Sequence, residues 1–212
     1  MSEEVRQGMT EKEAQELEEL EKIDCLYEID RLEAQSAIIF TRLMQAFIEA
    51  FGEETLDIAE RMRWESGIRM GQRMAKDFEE DPAAGLDQHF TKAWTQNAAW
   101  SRFCICEYPV TDRGRFETRA LRCIYGHTFH KLKAEKIGLA YCAIDCGIAE
   151  GCSPRIRMHW TQNMHWGDPV CFQIREVLDE PQDVHLRSEE YGWRSMKNVP
   201  RIGSADDEYE GY

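Results

Sequence analysis

The sequence predicts an α+β domain: a helical N-terminal half, then an antiparallel sheet of about four strands with helices inserted between two hairpins. Three observations carry this. Apolar residues recur at three- and four-residue steps through the first 75 positions. Near residue 99 the period switches to alternation, with aromatic and β-branched residues enriched. Helical spacing then returns between two pairs of alternating stretches, the layout of an α+β chain.

Residues 1–15 are polar and Glu-rich and read as a disordered segment. A helical region spans 16–98. Leu17, Leu20, Ile23, Leu26, Leu32, Ile38, Ile39, Leu43, Ala46 and Phe47 form one helix that Phe51-Gly52 ends, glycine being the natural stop. A second helix starts near Glu53-Glu54-Thr55 and carries Ile58, Met62, Ile68, Met70 and Met74. Gly67 and Gly71 in it permit close approach of another helix. Asp81-Pro82-Ala83-Ala84-Gly85 breaks the helix, and Leu86, Phe90 and Trp94 mark a short amphipathic piece.

Residues 99–180 read as the α+β part, packed on the helices as one domain. Ala99 to Tyr108 and Phe116 to Cys123 form the first hairpin around a turn at Asp112-Arg113-Gly114-Arg115. Helices follow from about Gly126 to Lys136, stopping at Gly138, and from Ala140 to Ala149. Residues 155–161 and 170–177 alternate on either side of a connector, Asn163 to Pro169. In this reading one face of the second hairpin carries Arg157, His159 and Thr161 with Cys171, Gln173 and Arg175, if the register lets them meet. Residues 181–212 form an extended polar tail.

At 212 residues the chain is long enough to bury a core. Its net charge of −14 excludes a nucleic-acid partner, whose phosphates it would repel, and disfavours an anionic membrane. Much of the acidity lies near the termini, so the field at a pocket can still be positive. Met1-Ser2-Glu3-Glu4 has neither the basic start nor the apolar run of an export signal. A cytoplasmic location is expected, where eight cysteines serve as thiols, metal ligands or catalytic groups rather than disulfides.

Reactive side chains concentrate between Arg122 and Cys171. Cys123 sits at a strand end just before a helix, where amide N–H groups lower a thiol's pKa. His127, one helical turn on, suits its base or ion-pair partner. Cys142 and Asp145 share a helix face. Asp168 can hold a turn that aims Cys171 into a pocket. Arg157 and Arg175 suit capture of a carboxylate, and Trp160 can line an apolar cleft. The plainer alternative for each is packing or a solvated face. Zinc is a further alternative, from Cys123, Cys142, Cys171 and His127, although no paired short Cys-x-x-Cys loops are present.

The ordered set Arg122-Cys123-Ile124-Tyr125, Tyr141-Cys142-x-x-Asp145, Pro154-x-Ile156-x-Met158 and Gly167-Asp168-x-x-Cys171 resembles the L-2-amino-thiazoline-4-carboxylic acid hydrolase family. The likeness covers residues 115–177 best. It implies hydrolysis of a small cyclic C–N/C–S compound bearing a carboxylate: water adds at the amidine-like ring carbon and the ring opens to a carbamoyl product. Cys123, Cys142, Asp145, Asp168 and Cys171 fall on the family's pattern; His127, His130 and His159 do not, which leaves the general base open. The expectation is a hydrolase acting on carbon–nitrogen bonds. Cys123 or Cys142 is its nucleophile, with Cys171 the third thiol of the site. Asp145 with His127 or His159 handles protons, while Arg157 or Arg175 with Asp168 and Trp160 holds the substrate. No organic cofactor is expected. A binding module without catalysis and a zinc-stabilised protein are the competing readings. The expected partner is a small-molecule substrate, with a homo-oligomer left open.

Overall fold

The computed structural model describes residues 11–92, 95 and 104–181, with side chains from residue 31 onward. The tail 182–212, residues 1–10, Trp94, Trp100 and the expected strand start at 99–103 lie outside the described residues.

Helix α1 runs from Glu11 to Phe51 and α2 from Glu54 to Gln72. The first helix therefore starts five residues before the sequence pattern suggests. Glu, Lys, Ala and Gln at 11–15 are strong helix formers, which accounts for the earlier start. Gly52, at φ 90°, makes the stop a left-handed cap, and its N–H bonds the Ile48 carbonyl. A 3₁₀ turn (Ala75–Phe78), a one-turn α3 (Pro82–Leu86) and a π-helical turn (Asp87–Lys92) lead to the sheet. Asp81 caps α3 by accepting from the Ala83 and Ala84 amides.

The sheet has four antiparallel strands in the order β1-β2-β4-β3: β1 Cys104–Glu107, β2 Arg115–Cys123, β3 Ile156–Gln162 and β4 Cys171–Val177. Between the hairpins lie α4 (Ile124–Lys131) and α5 (Glu135–Cys152). The α+β architecture is the one the sequence predicts. The boundary between α4 and α5 is not: the break falls at Leu132 to Ala134, where Lys133 adopts φ 50°. Gly138 sits inside α5 because a Cβ there would meet His165 Nδ1 at 2.8 Å and Phe129 Cγ at 2.8 Å. It is a packing glycine rather than a stop.

Helix α5 is the centre of the fold, buried between the sheet and α2. Its contact with α2 is glycine on glycine. A Cβ on Gly67 would lie 2.8 Å from the Ile148 amide and one on Gly71 2.7 Å from the Cys152 amide. In return, a Cβ on Gly147 would lie 2.9 Å from the Trp64 carbonyl carbon and one on Gly151 2.9 Å from that of Ile68. Backbone thus packs directly on backbone. The opposite side of α5 sends Cys146, Ala149 and Cys152 into a core with Phe78, Phe116, Met158 and Trp160. A second core joins α1 and α2 to α4 and α5 through Met44, Leu56, Phe129, Leu132 and Ile137.

Candidate functional site

Strand register decides which side chains meet. Directly opposed residues share a sheet face. Met158 opposes Arg175 and Trp160 opposes Gln173, whereas Arg157 opposes Glu176 and His159 opposes Ile174. Arg175, Gln173 and Trp160 therefore face α5, and Arg157 and His159 point the other way. The single polar face expected for this hairpin does not form, because the register pairs each arginine with a residue of the other's strand on opposite sides. Arg157 is engaged by Glu176, its Nε 2.8 Å from Oε1, in a ladder with Arg115. Burial and the Arg157 charge lower the pKa of His159 there, on the far side of the sheet from the thiols. Trp160 is 2% exposed and belongs to the core.

The inner face carries a row of reactive groups. Cys104 opposes Cys123, Cys106 opposes Ala120, Ala120 opposes Cys171, and Thr118 opposes Gln173. The ladder slips by one residue between Ile105 and Cys106. A bulge of this kind re-aims side chains at a strand end. Here it places Cys123 opposite Cys104. Across from the row, α5 presents Cys142 and Asp145. Gln173 Nε2 donates to Asp145 Oδ2 at 3.4 Å, and Arg175 Nη2 donates to Gln173 Oε1 at 2.9 Å. Burial raises the Asp145 pKa, opposed by the charges of Arg175 and Arg63. Arg175, 1% exposed, has its guanidinium 5.2 Å from the Phe90 ring centroid.

Cys123 is the N-cap residue of α4, at φ −130° and ψ 124°. Its sulfur accepts from the Cys104 thiol, which lowers its pKa; burial opposes this, and the amides of Gly126 and Tyr125 add to the lowering. The Cys104 thiol, next to the sulfurs of Cys106 and Cys123, is shifted the other way and keeps its proton. Helix N-termini favour negative charge in this position. Cys123 also opens onto a pocket of about 270 Å³ lined by Arg122, His127, His130, Met164 and Asp168. Burial, then the nearby Lys131 and Arg122 charges, lower the His127 pKa and favour its neutral form.

The other two thiols of the signature are half-buried and held protonated. Burial raises the Cys142 pKa well above its ordinary value, and Asp145 adds to the shift. Cys142 Sγ lies 3.5 Å from His165 Nε2. Burial pushes Cys171 up to about 12. Its sulfur accepts from the Met164 amide at 3.3 Å and sits 3.9 Å from Asn163 Oδ1. The Asp168 carboxylate accepts from the Asn163 amide at 2.9 Å, and Gly167 takes φ 93°. The Gly167-Asp168-x-x-Cys171 element thus ties the turn that closes one wall of the pocket.

Of the residues singled out from sequence, Cys123, Cys142, Asp145 and Cys171 are close enough to feel one another's charge. His127 and Asp168 line the pocket with Cys123. Among the described residues no group of three or more His, Cys, Asp or Glu side chains is placed to hold a metal ion. Sequence reasoning assigned no site role to Arg122, His130, Cys104 or His165. The signal for Cys104 was its place on the strand pairing with β2; that for Arg122 was its adjacency to Cys123.

His165 gives a pH prediction. Burial lowers its pKa to about 4 from an ordinary 6.5. The unfolded chain binds this proton first as pH falls, so the contribution is present above about 6.5 and lost on descent through 4. Its size is roughly 3 kcal/mol. The raised Asp145 pKa works in the opposite sense, favouring the folded state as that carboxyl protonates. The comparison of wild type with His165→Gln isolates the histidine. Urea-unfolding midpoints from pH 7 to pH 4 should fall more steeply for wild type, and parallel curves would rule the buried neutral imidazole out.

A family model described as L-2-amino-thiazoline-4-carboxylic acid hydrolase matches residues 32–173. No curated protein matches the chain. In structure the chain is similar to a trafficking protein particle complex subunit 3 from Naegleria fowleri covalently bound to palmitic acid. The identity is 14% and the TM-score 0.43, over 71% of this chain and 97% of that one. It is similar too to the phenol-responsive sensory domain of the transcription activator PoxR, at 13% identity and TM-score 0.44, over 75% of this chain and 82% of that one. No helix among the described residues is long and apolar enough to cross a membrane.

Proposed function

The chain belongs to the L-2-amino-thiazoline-4-carboxylic acid hydrolase family, and from that premise we propose that it opens a small carboxylate-bearing thiazoline or cyclic amidine, with the Cys123 thiolate as nucleophile. The observation that carries this reading is the setting of Cys123. It is the one thiol of the three in the signature that combines a lowered pKa with a place on a pocket wall.

The ring carbon of such a substrate is bonded to several heteroatoms and is electrophilic. Sulfur attack forms a C–S bond to Cys123; the bond from that carbon to a ring heteroatom breaks, and the heteroatom leaves with its electron pair and takes up a proton. Water then adds to the same carbon, the thiolate departs, and the carbamoyl product carries the added oxygen. Neutral His127 suits removal of the proton from that water. Arg122 and His130 at the rim supply donors for the substrate carboxylate, the role first given to Arg157 and Arg175. Asp145 does not line the pocket. Its burial shifts the carboxyl toward the neutral form, against the charges of Arg175 and Arg63.

Alkylation tests this directly. Iodoacetamide should label Cys123 first, at a rate rising with pH to a midpoint below the ordinary thiol value of about 8.5, and 2-amino-thiazoline-4-carboxylate should slow it while being consumed. Labelling spread evenly over the cysteines, without protection, would defeat the assignment. Protection without turnover would leave a binding module.

A further inference from the structure

Helix α1 carries two seams with a seven-residue repeat. Ala34, Ala37, Thr41, Met44 and Ile48 form the first, turned toward the body of the domain and buried or half-buried. The second is Leu32, Ser36, Ile39, Leu43, Ala46 and Ala50, at steps of four, three, four, three and four. All six are exposed, with Leu32 at 53%, Ile39 at 60% and Leu43 at 54%. None is charged, in a chain whose net charge is −14.

A helix face selected for water carries charge, and a face depleted of it belongs to an interface core. The 3.5-residue spacing is that of a helix-on-helix seam, where branched residues act as knobs and small ones leave holes. Leu32, Ile39 and Leu43 supply the knobs here, and Ser36, Ala46 and Ala50 the holes. From Leu32 to Ala50 the seam runs about 27 Å at 1.5 Å per residue, longer than a small ligand. Phe47, Phe51, Ile58 and Met62 extend it as exposed apolar side chains, bordering a groove of about 590 Å³ between α1 and α2. With Met70, the exposed large apolar residues of this surface offer on the order of 800 Å², what one partner gives to a standard interface.

We propose that this surface is a self-association face, on which α1 of a second copy of this chain lies along α1 of the first. A two-fold pair needs a self-complementary patch, and a seam that alternates knobs and holes provides one. The two α1–α2 hairpins then form a four-helix arrangement across the axis. The Cys123 pocket shares no lining residue with the groove, so this inference stands apart from the catalytic one.

The test is the mass in solution of wild type and of the double variant Ile39→Glu/Leu43→Glu. Glutamate is a good helix former and both positions are exposed, so far-UV circular dichroism should be unchanged. Wild type is expected at twice the chain mass of 24.8 kDa. The variant is expected at one chain mass, its dissociation constant at least about 100-fold higher. A wild type of single-chain mass at every concentration overturns the proposal, as does a double variant that still pairs. A single-chain wild type that carries an amphiphile into denaturing mass spectrometry also overturns it, and gives the groove to a lipid-like ligand.

Discussion

Cys123→Ala should lose turnover of 2-amino-thiazoline-4-carboxylate by on the order of 1,000-fold or more in kcat/KM, the scale seen when a covalent nucleophile is removed. The Tyr125 and Gly126 amides lie near enough to the sulfur to favour its charge but form no full side-chain capping bond with it, so its removal leaves the helix largely as it was, and the fold should survive. Cys123→Ser is the sharper comparison. It keeps the shape and an oxygen for the Tyr125 and Gly126 amides, but an alcohol stays protonated where the thiol ionises. Serine should therefore be almost as inactive as alanine while binding substrate as well as wild type. Cys171→Ala should behave differently: that sulfur accepts the Met164 amide, so the loss falls on stability and on KM rather than on the chemical step. Full activity in the Cys123 variants would transfer the chemistry elsewhere in the domain.

Gly147→Ala should be among the most destabilising single-methyl additions the chain can take. Two effects compete. Alanine is favoured over glycine inside a helix by up to about 1 kcal/mol. Against this, the new Cβ would stand 2.9 Å from the Trp64 carbonyl carbon and 3.0 Å from the Ile68 amide, backbone atoms that cannot swing aside. Overpacking of this kind costs about 1–3 kcal/mol and sometimes more. Four interlocked glycines leave little room to relax, so the upper end applies and the clash wins. The net cost of about 2 kcal/mol corresponds to a fall in melting temperature of roughly 4–8 °C for a chain of this size. Gly126→Ala is the control: its Cβ would meet Met164 Sδ, the flexible part of a side chain, and should cost much less. Equal melting temperatures for wild type and Gly147→Ala would show that α2 and α5 are not apposed at backbone distance.

Much of this was legible from the chain alone, and for identifiable reasons. Helix and strand periods are local, so the α+β order and the two hairpins could be read directly. Gly67 and Gly71 announced a close approach, though not that Gly147 and Gly151 would answer them, since glycine also ends helices. Gly138 was misread for the same reason. The site was harder because it depends on register. Alternation shows that Arg157 and His159 share a face, and that Arg175 and Gln173 share one. It does not say whether the two faces coincide, and a shift of one residue exchanges them. The bulge that brings Cys104 to Cys123 leaves no mark in a two-residue repeat. His165 was hidden by its connector, whose shape is set by the Asp168 and Asn163 bonds rather than by any period.

The glycine contact has a bearing on how this fold can change. One side of α5 is locked to α2 at backbone distance, while Cys142 and Asp145 leave its other side within the same two turns. A drift of the helix that made room for a bulkier residue on the first side would displace both groups on the second. Novel substrates are therefore to be sought by redrawing the rim, at Arg122, His130 and the Met164–Pro169 loop, where side chains can be exchanged while the scaffold beneath keeps its dimensions.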